Sequence, residues 1–174
     1  MFTIRPATLE DADTLAELGR RIFLDTFAKD NTPEDMAGYL AATFGPALQR
    51  AELQDASVRF LLVLAHGTPV AYAKLGQRPA NARGRRPLQI SRFYVERAWH
   101  GSGAAPALME AVLQLARAQG HDDLWLGVWE HNARAIGFYQ KQGFVRVGEQ
   151  PCQVGADVQT DWVMARAVTP EPSR

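Results

Sequence analysis

Cysteine is almost missing from this chain: Cys152 is the single thiol in 174 residues. That excludes an internal disulfide and any site built from several cysteines, and it suits a reducing compartment. An excess of one charge is missing too, since 19 basic residues balance 19 acidic ones. No global field therefore favours nucleic acid or an anionic membrane surface. No apolar stretch approaches the ~20 residues that span a bilayer. The start, Met1-Phe2-Thr3-Ile4-Arg5-Pro6, has no basic segment followed by an apolar run. A soluble, cytoplasmic protein is the expectation, with neither nucleic acid nor membrane as partner. The four histidines are scattered without spaced carboxylates, so no metal is expected. Repeats and low-complexity tracts are absent. The length fits one domain, expected over residues 1–168, with 169–174 as a frayed tail rich in proline and polar residues.

What is present reads as strands and helices with clear punctuation. Thr3 to Pro6 predicts a first strand, and Thr8 and Asp11 have capping-box spacing before a helix striped by Leu15, Leu18 and Ile22. Thr32 as N-cap, Pro33 at the first helical position and Glu34 and Asp35 at the positive end of the dipole start a second helix, running to about Phe44. A weaker helix covers Ala47 to Leu53. Arg59 to Ala65 predicts a buried strand, His66 to Pro69 a turn, Val70 to Leu75 its hairpin partner and Gln77 to Pro87 a loop within one sheet. Leu88 to Val95 is the next strand. The helix after it carries Leu108, Val112 and Leu115 on one face and stops at Gly120. Leu124 to Trp129 is again a strand. Asn132 caps a helix ending near Gln142, with Gly143 at the left-handed C′ position, and Phe144 to Val147 and Gln159 to Ala167 are the last strands.

Chemistry concentrates between Arg92 and Phe144. In His100-Gly101-Ser102-Gly103-Ala104-Ala105 two glycines let the backbone turn sharply where a helix begins. A helix start offers up to four unpaired N–H groups and about half a positive charge, enough to hold a pyrophosphate without lysines. Ala104 and Ala105 permit close approach, and Pro106 in the first turn lacks an N–H that would be unpaired anyway. Gly-x-Gly alone also fits an ordinary helix start. A dinucleotide fingerprint is incomplete, because Pro106 stands where a third glycine or alanine belongs, and no Gly-Lys-Ser or Gly-Lys-Thr of a Walker motif follows. Tyr139 lies two helical turns beyond Asn132 and on roughly its face, so one ligand can touch both. A Phe-Tyr pair on a helix is also a common packing element. In this order the cradle and the tyrosine point toward acyl transfer from coenzyme A.

These residues resemble the GCN5-related N-acetyltransferases. His100-x-x-Gly103-x-Ala105 looks like that family's pyrophosphate motif, and Asn132-x-x-Ala135-x-x-Phe138-Tyr139-x-x-x-Gly143-Phe144 like its second coenzyme-binding motif. Within the family the chain is most similar to the PaiA-type spermidine/spermine N-acetyltransferases, through Phe23-x-Asp25-Thr26-Phe27, Asn31 with Pro33-Glu34, Trp125 to Glu130 and Gln159-Thr160-Asp161. The resemblance implies an α+β fold: a mixed, splayed central sheet of about six to seven strands flanked by about four helices. It implies acetyl-coenzyme A as co-substrate, with the pantetheine arm held by Phe93, Tyr94, Val95 and Asn132 and the pyrophosphate by His100, Gly101, Ser102, Gly103, Ala104 and Ala105. Tyr139 becomes the acid that protonates the departing thiolate.

Two positions depart from the family pattern. His100 replaces an arginine or glutamine, and Ser91 stands where relatives often carry a glutamate suggested as base. Ser91 or Glu130 is then the end of a water chain that removes the amine's proton. The acceptor, a primary amine of a small molecule or polyamine, is expected between the first two helices and the final strands, against Asp25, Phe27, Tyr39 and Trp129. Asp25, between Phe23 and Phe27, and Glu34 and Asp35 are candidates to attract a polyamine, although Glu34 and Asp35 also serve a helix dipole. Arg78, Arg83, Arg85 and Arg86 read as a solvated charge run with one arginine in reach of the coenzyme's ribose phosphate. A homodimer is compatible with this reading. The alternatives are a coenzyme A-binding sensor with little catalysis, an enzyme acting on a protein N-terminus or lysine and, more remotely, a nucleotide-dependent oxidoreductase.

Overall fold

Seven strands form one sheet in the order β1-β2-β3-β4-β5-β7-β6. Along the chain they are β1 (Phe2–Pro6), β2 (Val58–Ala65), β3 (Thr68–Gly76), β4 (Pro87–Val95), β5 (Asp123–Trp129), β6 (Val145–Val154) and β7 (Asp157–Ala167). The helices are α1 (Ala12–Phe27), α2 (Pro33–Thr43), α3 (Pro46–Gln54), α4 (Ala104–Ala118) and α5 (Ala133–Lys141). The computed structural model describes residues 1–76 and 85–168. Arg78, Arg83 and most of the expected loop lie outside the described residues, as does the expected tail 169–174. Among the described residues no helix is long and apolar enough to cross a membrane.

The predicted helix signals correspond to real contacts. The Thr8 amide donates to Asp11 Oδ2 at 2.7 Å, and the same carboxylate takes two bonds from Arg5, at 2.8 and 2.9 Å. The capping turn is therefore tied to β1, and the Arg5 guanidinium holds the Asp11 carboxyl below its ordinary range. Thr32 Oγ1 accepts from the Asp35 amide at 3.2 Å, and Asn132 Oδ1 from the Ala135 amide at 3.2 Å.

Strand parity splits the core into two layers. Leu61, Val63, Leu88, Ile90, Leu124 and Leu126 face α4 and α5. Phe60, Leu62 and Tyr72 pack under α1 with Leu15, Leu18 and Ile22, while Phe23, Met36 and Phe44 form a satellite between α1 and α2.

Two hairpins differ from expectation. His66 and Gly67 both have positive φ, 51° and 80°, so a tight two-residue turn replaces the expected four and β3 already begins at Thr68. Pro69 fits inside β3 because the pairing is irregular there, between Val63 and Leu64. The last hairpin is far longer than expected: β6 runs on through Gly148 and Pro151, and only the turn Gly155-Ala156, with φ 60° at Gly155, interrupts before β7. As an edge strand β6 buries little of its length, so it carries no apolar run, and an edge tolerates Pro151.

Candidate active site

The parallel strands β4 and β5 pair only from Pro87↔Asp123 to Ile90↔Leu126. Beyond that point β4 stays with β3 as far as Val95↔Ala71, and β5 stays with β7 as far as Trp129↔Asp161. The sheet opens into the expected wedge. Ser91 begins it as the extra residue of a bulge: Lys74 pairs with Arg92 and Leu75 with Ile90, leaving Ser91 without a register partner. Its hydroxyl donates to the Lys74 carbonyl at 3.2 Å. The inserted residue shifts the strand's phase, so that Phe93 and Val95 face α4 as Leu88 and Ile90 do. Arg92 and Tyr94 face the opposite side, where the Arg92 guanidinium lies 5.3 Å from the Phe44 ring centroid.

On the α4 and α5 face the wedge is lined by backbone. The Glu96 amide donates to the Val70 carbonyl on β3 at 2.9 Å. Strand alternation then turns the peptide groups of Phe93 and Val95 toward the gap. The Val95 carbonyl is met there by His100 Nε2 at 2.9 Å. Burial lowers the His100 pKa, the bond to Val95 opposes that, and Arg134 and Arg97 lower it further.

The glycine turn follows directly, with φ of 75° at Gly101 and 94° at Gly103, which is the N-cap of α4. A Cβ at Gly101 would meet nothing within 4 Å, so backbone conformation alone calls for glycine there. Ser102 Oγ braces the turn, donating to the Trp99 carbonyl at 2.5 Å and accepting from the Ala104 amide at 3.3 Å. The result is an open, left-handed cradle at the positive end of a long helix, and its shape and polarity fit a pyrophosphate.

Tyr139 completes this face. It is 7% exposed, and the rings of Phe138, Phe144 and Phe93 surround it at centroid distances of 5.5, 5.7 and 6.0 Å. Burial alone pushes its phenol well above the ordinary value, so the group carries its proton at neutral pH. Phe93 also stacks on Phe138 at 5.6 Å, closing aromatic contact between β4 and α5.

The other face belongs to long-range neighbours. Phe27 meets Trp129 edge-on at 5.8 Å, and Phe23 stacks on Tyr39 at 4.3 Å. Trp129 is opposite Asp161 on β7, and Asp161 is opposite Gln150 on β6. Asp161 and Cys152 are hydrogen-bonded, and both act on Tyr39, whose pKa is raised first by burial and then by Cys152. Phe27, Tyr39 and Trp129 thus come together with Asp161. Asp161 was visible in the sequence only as part of a motif, and Cys152 as a bare thiol.

Asp25 does not join them. It is exposed, two residues from both Phe23 and Phe27 and so on the far side of α1 from their rings. Asp35 is also engaged elsewhere, since its Oδ1 accepts from the Ala156 amide at 2.9 Å and holds the β6–β7 turn. Glu130 follows β5 as an exposed carboxylate, 3.5 Å from His131 Nε2.

The splayed parallel pair thus has a left-handed glycine turn at one end of it and a buried, protonated tyrosine beside it. The model of the acetyltransferase (GNAT) family matches residues 20–144, and the chain belongs to that family. An N-acetyltransferase of Lactobacillus delbrueckii subsp. lactis, described only as uncharacterized, is 33% identical over 91% of this chain and 93% of its own. Another so described, from Mycobacterium tuberculosis, is 35% identical over 91% of this chain and 98% of its own. The crystal structure of the PaiA N-acetyltransferase of Thermoplasma acidophilum in complex with coenzyme A has the same fold, with a TM-score of 0.78 at 19% identity over 96% of this chain and 99% of that one.

Proposed function

We propose that the protein transfers the acetyl group of acetyl-coenzyme A to a primary amine of a small molecule or polyamine, by direct attack in a ternary complex. The observation that carries this reading is the two-sided wedge, with the cradle and Tyr139 on one face of the sheet and an aromatic wall with a carboxylate on the other. The Thermoplasma neighbour with coenzyme A supports the donor, and the PaiA-type sequence resemblance supports the polyamine.

In this reading the peptide groups of Phe93 and Val95 hold the pantetheine arm, with Tyr94 between them and Asn132 across the gap. The turn from His100 to Ala105 holds the pyrophosphate. An alkyl amine has a pKa near ~10.4, so its reactive form is scarce at neutral pH and a proton must leave before attack. Ser91, at the bulge, and Glu130, exposed to water, mark two routes for that proton. The amine lone pair then forms the C–N bond and the C–S bond breaks, with its electron pair on sulfur. Tyr139 supplies the proton that sulfur takes.

The test is thiol release from acetyl-coenzyme A by purified protein across polyamines, amino acids and peptide N-termini. Turnover with small amines is expected. Coenzyme A binding without release from any acceptor overturns the catalytic reading in favour of a sensor, and release with peptides alone overturns the small-amine acceptor.

A further inference from the structure

We propose that Asp161 binds the ammonium nitrogen of the acceptor and takes a proton from it; this rests on the acetyltransfer reading above. Paired residues on antiparallel strands share a face, so Trp129 and Asp161 point to the same side as Trp125 and Ala165, away from Tyr139. The carboxylate therefore stands beside the opening of the wedge, across the sheet from the acid that serves the leaving group.

Gly127 makes this position available. A Cβ there would lie 3.1 Å from Asp161 Oδ2 and 2.5 Å from Gln150 Nε2. With glycine there both side chains lean across β5 toward the gap, where a Cβ would press on them.

Among the described residues the groups that face Asp161 are Gly127 and Trp129 from β5, Gln150 and Cys152 from β6 and Tyr39 from α2. None is a cation. Burial pushes the Asp161 carboxyl up to about 6, and the influence against that is the hydrogen bond with Cys152, whose own thiol is pushed up to about 11 and remains a neutral donor. A half-buried carboxylate is ordinarily matched by a positive partner. Here an acceptor ammonium is the match, and the rings of Phe27, Trp129 and Tyr39 suit both its charge and its alkyl chain.

The protons balance. Asp161 accepts one from the ammonium and passes it to water, the amine attacks the acetyl carbon, and the thiolate leaves with the Tyr139 proton. The second proton lost from nitrogen restores Tyr139, so the reaction releases one proton overall.

The test is kcat/KM for 1,4-diaminobutane and spermidine as a function of pH, with acetyl-coenzyme A affinity measured by calorimetry. In the wild type kcat/KM falls about tenfold per unit below a pH near 6. Asp161→Asn lowers it about 100-fold and flattens that limb, while coenzyme affinity stays within about twofold. Cys152→Ala removes the opposing hydrogen bond and moves the limb to higher pH. Gly127→Ala raises the amine KM without changing coenzyme affinity, and these two variants carry the test if Asp161→Asn does not fold. A wild-type limb and rate in Asp161→Asn, or in its place an unmoved limb in Cys152→Ala and an unmoved KM in Gly127→Ala, overturns the role of Asp161 and leaves acetyltransfer standing. A wild type that turns over no amine overturns both.

Discussion

The two faces of the wedge are built in different ways. The α4 and α5 face is assembled from one continuous stretch of chain, Arg92 to Phe144, and much of what it offers is backbone: the peptide groups of Phe93 and Val95 and the left-handed turn at Gly101 and Gly103. The α1 and α2 face is assembled from five separate elements, and what it offers is side chains: Phe27, Tyr39, Trp129, Gln150 and Asp161. Even the ties that hold that face together are long-range, such as Gln159 Nε2 to Asn31 Oδ1 at 2.6 Å. A backbone site tolerates wide sequence change so long as the glycines and the bulge remain. A side-chain site changes with every substitution. A shared donor with divergent acceptors follows from that difference.

The sharpest break between the faces is expected at Tyr139. Tyr139→Phe keeps the ring among Phe93, Phe138 and Phe144 and deletes only the hydroxyl. Turnover should fall by about 10²- to 10³-fold, within the range of a positioned proton donor, with acetyl-coenzyme A affinity nearly intact. Single-turnover kinetics and calorimetry separate the two, and unchanged turnover would remove Tyr139 from the acid role.

On the opposite face, Trp129→Ala removes the ring that meets Phe27 and pairs with Asp161. The amine KM should rise about tenfold, the loss of one aromatic contact to a cation and its chain, while the coenzyme Kd stays constant. A matching loss in coenzyme affinity would mean that the faces are not separable.

Gly103→Ala tests the cradle from the other direction. At φ 94° an alanine is strained by about 1–2 kcal/mol, yet its Cβ would approach nothing closer than Phe2 at 3.9 Å. Space is not the obstacle; conformation is. Coenzyme affinity should drop several-fold and the melting temperature by a few degrees, with the amine KM unmoved.

The same division decides what could be read from the sequence. The caps at Thr32 and Asn132 were legible because each bonds an amide three residues on, and the glycine turn because positive φ has a local chemical signature. Asp25 was put beside Phe23 and Phe27 by sequence adjacency, whereas helical periodicity sets it on the opposite side of α1 from them. The extent of β6 was hidden because an exposed edge strand needs no apolar alternation, and Gly148 and Pro151 resemble loop residues. Asp161 was hidden for a deeper reason: its neighbours, Tyr39, Gly127 and Gln150, are brought to it only by the β5–β7–β6 pairing and the docking of α2.

A change remote from both faces is the control on all of these. Asp11 joins β1 to the start of α1 through Arg5 and the Thr8 amide and touches neither the cradle nor the aromatic wall. Asp11→Ala should cost about 1–2 kcal/mol of stability at neutral pH, the usual weight of a cap with a charge-assisted bond, and leave both Km values unchanged. Its pH dependence has a definite sign. The Asp11 pKa is lowered in the fold, first by the hydrogen bond from Arg5, so the stabilisation is fully present above the unfolded value near ~3.9 and is lost as pH falls through the lower folded value. Denaturant melts of wild type and Asp11→Ala should therefore converge as pH falls through that lower folded value. Curves that stay parallel through that range would show that the carboxylate's charge is not what holds α1 to the sheet.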